Sequence, residues 1–67
     1  MESAEPVKFV DKDSGDEAYI FVRFNADCVA LCISLKSNGD CEATMTKDTA
    51  RKVIATLQKA VSEDSRN

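Results

Sequence analysis

Two stretches in the middle of the chain have the hydrophobic pattern or the residue types of β-strands. Residues 18–24 are rich in β-branched and aromatic side chains, and residues 29–35 place apolar side chains at every second position. The joint at residues 25–28 predicts a four-residue hairpin loop that sets Phe24 opposite Val29. One face of this hairpin is then continuously apolar.

A second turn, at residues 37–39, admits two strand registers, and the hydrophobic pattern chooses between them because a one-residue slip exchanges the two faces. A two-residue turn would set Ile33 opposite Thr44 and mix apolar with polar side chains. A three-residue loop with Gly39 in the left-handed conformation keeps one apolar and one polar face, and we therefore predict it. The pairs it predicts are Leu35–Cys41, Ile33–Ala43 and Leu31–Met45.

After Met45 the hydrophobic period changes from 2 to 3.6, which indicates a helix. Thr46 is the predicted N-cap, and Asp48 falls in the first turn, where the helix dipole favours a carboxylate. An apolar stripe follows at helical spacing and predicts an amphipathic helix that covers the apolar face of the sheet. The stripe consists of Ala50, Val53, Ile54, Leu57 and Val61.

The predicted fold is a single α+β domain over residues 7–62: a four-stranded antiparallel meander, β-β-β-β-α, with the C-terminal helix packed on one sheet face. Residues 7–10 form a short apolar strand whose place in the sheet the pattern leaves open. Residues 1–6 and 63–67 are polar and charged, and we expect both to be flexible tails.

Composition and charge narrow the class of protein. The N-terminus lacks the basic start and apolar run of a secretion signal, and no stretch approaches the roughly 20 apolar residues that cross a bilayer. We therefore expect a cytoplasmic protein without a membrane segment. The chain has 3 cysteines, which in that setting are expected to be reduced thiols, and a net charge of −3, which is unlike a typical nucleic-acid binder.

No residue pattern points to catalysis, a cofactor or a metal. The chain contains no histidine, the usual base near neutral pH. Cys28 and Cys32 would lie about 13 Å apart on a strand, too far to share one zinc ion. The two glycines lie in turns, so there is no glycine-rich phosphate loop. We expect a protein that is not an enzyme and binds no cofactor.

The sheet face away from the helix is the predicted contact surface, because it carries two aromatic side chains around small residues. The residues expected to contact a partner are Tyr19, Phe21, Arg23 and Cys32 on the sheet, with Arg51, Lys52 and Lys59 as a second patch on the outer helix. The predicted function is that of a small non-enzymatic protein–protein interaction module, and the expected partners are a second copy in a homodimer and another protein. Compact chains of this kind include regulators and inhibitors, some of them encoded by phages and mobile elements. In the other structural interpretation, Tyr19 and Phe21 pack beneath residues 7–10.

Single-stranded nucleic-acid binding is the alternative function. Aromatic and basic side chains on one sheet face can stack and hold bases, and Tyr19, Phe21, Arg23 and Lys36 share the predicted outer face. The order of four strands and a helix resembles, in topology alone, small dimeric coactivator domains that hold single-stranded DNA on a sheet. The chain lacks the dense lysine and arginine pattern of those domains, and Glu42 lies on the same predicted face.

Overall fold

The computed structural model describes residues 2–64, with the side chain of residue 64 left undescribed. An antiparallel sheet is followed by one helix, which confirms the predicted α+β fold. The elements are β1 (Glu2–Ser3), β2 (Val7–Val10), β3 (Glu17–Phe24), β4 (Cys28–Leu35), β5 (Gly39–Thr46) and α1 (Lys47–Asp64). The sheet order is β1-β3-β4-β5, and β2 also pairs with β3.

The N-terminal residues form one interrupted strand along the outer edge of β3. Both β1 and β2 pair antiparallel with β3, and the amide of Ala4 donates to the carbonyl of Val22 at 2.9 Å. Pro6, which has no N–H to donate, stands between the two short strands. The sheet thus begins at Glu2, inside the segment that the sequence assigns to a tail, because backbone pairing carries little hydrophobic signal. Of the predicted C-terminal tail, the helix includes residues 63 and 64, and residues 65–67 lie outside the described chain.

The β3–β4 hairpin has the predicted register, with Phe24 opposite Val29 and Ile20 opposite Ile33. Asn25 shapes the connection: its side-chain oxygen accepts hydrogen bonds from the amides of Asp27 and Cys28, both at 2.8 Å. This is the self-capped turn that asparagine favours. Local turn chemistry and the alternating pattern agree here.

The predicted register of the β4–β5 hairpin is wrong by two residues. The observed pairs are Leu35–Gly39, Ile33–Cys41 and Leu31–Ala43. Gly39 does adopt a left-handed backbone, with φ of 82°, but it already belongs to β5, and the amide of Asn38 closes the turn on the carbonyl of Leu35 at 3.2 Å. Since side chains alternate with period 2, the shift leaves every residue on its predicted face.

Helix α1 follows β5 without a loop, and its start matches the prediction. The Thr46 hydroxyl accepts a hydrogen bond from the amide of Thr49 at 3.2 Å, so Thr46 is the N-cap. Asp48 lies in the first turn and pairs with Arg51 at 2.7 Å. The cap fixes the direction in which the chain leaves the sheet.

One carboxylate joins two distant loops. Asp16, at the end of the β2–β3 connection, accepts hydrogen bonds from the amide of Ser37 at 3.0 Å and from its hydroxyl at 2.9 Å. The amide of Lys36 also donates to the carbonyl of Glu17 at 3.0 Å. These contacts hold the β4–β5 turn against the start of β3, and sequence spacing gives no sign of them.

Replacing Asp16 by alanine is expected to lower the free energy of unfolding by about 1 kcal/mol, because two hydrogen bonds to a charged acceptor are lost. Asp13→Ala in the same loop is the matched control, since the described structure gives the Asp13 side chain no hydrogen bond, and it should have little effect. Urea denaturation at one fixed protein concentration measures both. Equal stability of the two variants would contradict a structural role for the Asp16–Ser37 contact.

Candidate functional site

The helix-side face of the sheet, defined as the face toward α1, forms one wall of an open apolar cleft of about 360 Å³. Apolar side chains from three neighbouring strands line this wall because even-numbered β3 residues and odd-numbered β4 and β5 residues share a face. The lining residues of the sheet are Val22, Phe24, Val29, Leu31 and Met45.

The predicted apolar stripe of α1 forms the other wall. Ala50, Val53, Ile54 and Leu57 line the cleft, but only Ala50 and Val53 of the stripe are half-buried. Exposure rises along the stripe, from 55% at Ile54 to 61% at Leu57 and 76% at Val61. Ile33, on the sheet beyond the cleft, is 40% exposed. The helix therefore covers one end of the face, whereas the sequence predicts that it covers all of it.

The mouth of the cleft carries one positive charge. The Nζ of Lys47 lies 5.9 Å from the ring centroid of Phe24, a cation–π distance. Apart from Lys47, the residues that line the cleft are all apolar. Such a surface can take up another apolar surface, and it offers no group for acid–base or nucleophilic chemistry.

The opposite face of the sheet, called the far face here, is covered at its centre by its own side chains. Ala30 and Cys32 on the central strand are only 2% and 5% exposed. Arg23 on β3 and Glu42 on β5 form an ion pair across the strand that lies between them, because Arg23 is opposite Ala30 and Glu42 is opposite Cys32. This pair, the Arg23–Glu42 strap, raises the pKa of Arg23.

The two far-face aromatics stack on each other. The rings of Tyr19 and Phe21 have centroids 5.8 Å apart and planes inclined by 22°. The N-terminal segment does not cover them, since it lies in the plane of the sheet with Val7 opposite Ile20 and therefore on the helix-side face. Tyr19 is 38% exposed, so the ring pair retains accessible surface.

The seven predicted contact residues fall into two separate groups. Tyr19, Phe21, Arg23 and Cys32 share the far face, as expected. Burial leaves Cys32 little surface for a partner, and the strap occupies the Arg23 guanidinium. Arg51, Lys52 and Lys59 are exposed on α1, and Arg51 is paired with Asp48.

The sequence interpretation missed the cleft. A signal for it exists, because five stripe residues on one helix have to cover apolar positions from three strands. The nucleic-acid alternative stays a prediction, although a guanidinium held by Glu42 is less free to bind a phosphate.

Two carboxylates of the acidic loop before β3, those of Asp11 and Asp16, accept hydrogen bonds from within the chain. Asp11 accepts hydrogen bonds from the Ser14 hydroxyl at 2.7 Å and from the Ser14 amide at 2.9 Å. These bonds lower the pKa of Asp11, because they favour the charged carboxylate. In residues 2–64, no group of three or more histidine, cysteine or carboxylate residues is arranged to hold a metal ion. Over the same residues, no helix has both the length and the apolar character needed to span a bilayer.

Comparison of the chain with protein-family models, with curated protein sequences and with solved structures finds no match. The interpretation of the cleft and the far face therefore rests on their own geometry and chemistry.

The three thiols are expected to differ in reactivity. Burial, with a smaller contribution from the nearby carboxylates of Asp40 and Glu42, raises the pKa of Cys32, so less of it is thiolate at neutral pH. Cys41 is exposed, and Cys28 is intermediate. Alkylation with iodoacetamide followed by mass spectrometry should label Cys41 first and Cys32 last.

Removing the Arg23–Glu42 ion pair tests why Cys32 is expected to react slowly. Glu42→Gln removes the ion pair that crosses Cys32 and should speed its alkylation relative to Cys41. Equal labelling rates of Cys32 and Cys41 in the unmodified chain would show that the strap does not keep the far face closed.

Proposed function

We propose that this chain is a non-enzymatic protein–protein interaction module whose first partner is a second copy of itself, bound through the open cleft. The observation that supports the proposal is the exposure of the apolar stripe of α1. Its large side chains, Ile54, Leu57 and Val61, are more than half exposed. A regulator or inhibitor acts by occupying the surface of another protein, and that role needs no catalytic group.

The surface area of the chain supports a second copy as the occupant. The chain exposes 5465 Å². A compact monomer of 7.3 kDa would expose about 4,200 Å², which leaves an excess of about 1,300 Å². Each partner contributes about 800 Å² to a standard interface, so the excess is large enough to supply one side of such an interface. The radius of gyration, 13.5 Å, likewise exceeds the value of about 11 Å for a compact chain of this length.

A two-fold arrangement suits the chemistry of the cleft. In such a dimer the same surface meets itself, and here that surface is apolar on both walls except for Lys47. The charged side chains Lys52 and Lys59 lie on the opposite side of the helix from the stripe, where they stay in water. Pairing two clefts would therefore bury apolar area without burying these lysines.

Leu57→Lys tests the proposal. Sedimentation equilibrium of the unmodified chain should give twice 7.3 kDa. The variant should weaken dimerisation at least about thirtyfold, because a desolvated lysine replaces an apolar contact worth about 2 kcal/mol or more. Leu57 is 61% exposed in the single chain, so the fold itself should tolerate the change.

Ala55→Lys is the matched control. It adds the same charge two residues away, on the side of α1 that points away from the cleft, and should leave the dimer intact. A monomeric unmodified chain at high concentration would refute the homodimer. A dimer that resists Leu57→Lys would place the interface outside the cleft.

A further inference from the structure

The outer edge of β5 is unpaired along its whole length. Within residues 2–64, β5 is the last strand of the sheet and pairs only with β4. Its register with β4 is continuous over eight residue pairs, so no bulge interrupts the edge. An edge of this kind presents backbone donors and acceptors to any extended chain that comes alongside.

The hydrogen-bond pattern identifies which backbone groups point outward. The amide of Asn25 bonds to the carbonyl of Cys28, and the amide of Lys36 bonds to the carbonyl of Glu17. Because bonded and non-bonded pairs alternate in an antiparallel ladder, the even-numbered residues of β4 turn their backbone groups toward β3 and the odd-numbered ones toward β5.

The same alternation continues into β5. Cys41, Ala43 and Met45 lie opposite odd-numbered β4 residues and direct their N–H and C=O groups inward. The outward groups therefore belong to Asp40, Glu42 and Thr44. The outward N–H and C=O groups of these three alternate residues can form backbone hydrogen bonds with about five to seven residues of an added strand.

The two edges of the sheet differ in protection. The edge on β3 is covered by β1 and β2, which are only 2 and 4 residues long and are separated by Pro6. Short strands and proline are features that prevent unwanted pairing at an edge. β5, with 8 residues, contains no proline, lysine or arginine. The open edge is therefore the one suited to accept a strand.

Charge indicates what kind of strand fits. On the far face the edge carries Asp40 and Glu42, and on the helix-side face it carries Cys41, Ala43 and Met45. Asp40 accepts a hydrogen bond from the neutral hydroxyl of Ser34, which leaves its negative charge uncompensated, whereas Glu42 is already paired with Arg23. A second β5 would bring the same carboxylates, whereas a strand that alternates basic and apolar residues complements both faces.

We propose that the β5 edge binds an extended segment of a partner protein in which basic residues alternate with apolar ones, and that this segment joins the sheet as an additional strand. One of its basic side chains lies beside Asp40, and another shares the Glu42 carboxylate with Arg23. Its apolar side chains lie beside Ala43 and Met45. Main-chain hydrogen bonds supply the affinity and the alternation supplies the selectivity. The edge backbone lies in the plane of the sheet and does not line the cleft, although the Met45 side chain belongs to both surfaces.

The probe is a fluorescein-labelled peptide that alternates lysine and valine, and the control peptide alternates glutamate and valine. Fluorescence anisotropy should show that the lysine peptide binds at least about tenfold more tightly, from charge complementarity across the strand pair. Thr44→Pro removes one outward N–H without touching the β4 ladder and should weaken binding about tenfold or more. Thr44→Val keeps that N–H and should bind within about twofold of the unmodified chain.

Asp40→Lys is a second variant, which keeps every backbone N–H group and should also weaken binding of the lysine peptide. It serves as the test if Thr44→Pro does not fold. Equal affinities for the two peptides, or no binding up to about 1 mM, would overturn the proposal. A Thr44→Pro variant that loses dimer mass instead of peptide affinity would overturn it too, because a second copy would then occupy the edge. The titration of Thr44→Pro tests the β5 backbone, and the mass measurement on Leu57→Lys tests the helix wall of the cleft, so the two proposals fail separately.

Discussion

One helix is too narrow to cover the sheet that precedes it. The 18 residues of α1 make a cylinder about 27 Å long and about 10 Å wide, whereas the sheet is four strands, or about 19 Å, across. Much of the helix-side face is left open wherever the helix lies. Accordingly, no large side chain among the described residues is fully buried. The uncovered part of the helix-side face is a consequence of this mismatch in size.

No helix covers the far face of the sheet among the described residues. Its central strand carries the small side chains of Ala30, Cys32 and Ser34, and longer side chains from the flanking strands lean across them. The Arg23–Glu42 strap spans the middle, and the Tyr19–Phe21 ring pair lies on β3 beside it. The centre of the far face is thus buried by side chains of the same chain, whereas the helix-side face keeps exposed apolar side chains. This asymmetry is why we place self-association on the helix side.

The two proposed surfaces rely on different physical properties. The cleft offers apolar area, whose burial is favourable with any complementary apolar surface. The β5 edge offers oriented backbone groups flanked by carboxylates, which discriminate by geometry and charge. Recognition of both kinds requires no catalytic group, and a chain of 67 residues has room for both because one uses the face of the sheet and the other its rim.

The sequence by itself determined the features that short-range chemistry controls. The alternating pattern assigned side chains to faces, Asn25 set the first hairpin, and Thr46 set the start of the helix. It could not fix the β4–β5 register, since a shift of two residues preserves both faces and the choice rests on the closure of the turn near Gly39.

Only the tertiary structure decided the remaining features, because they depend on groups far apart in the chain. Strand pairing along β3 placed the N-terminal residues, and backbone hydrogen bonds leave no mark in a hydrophobic pattern. The strap joins residues 19 positions apart, and the Asp16–Ser37 contact joins residues 21 apart. The position of α1 relative to the sheet leaves Ala50 and Val53 half-buried and the later stripe residues exposed. A hydrophobic pattern states which side chains prefer burial, but the geometry of packing decides which of them the chain can bury.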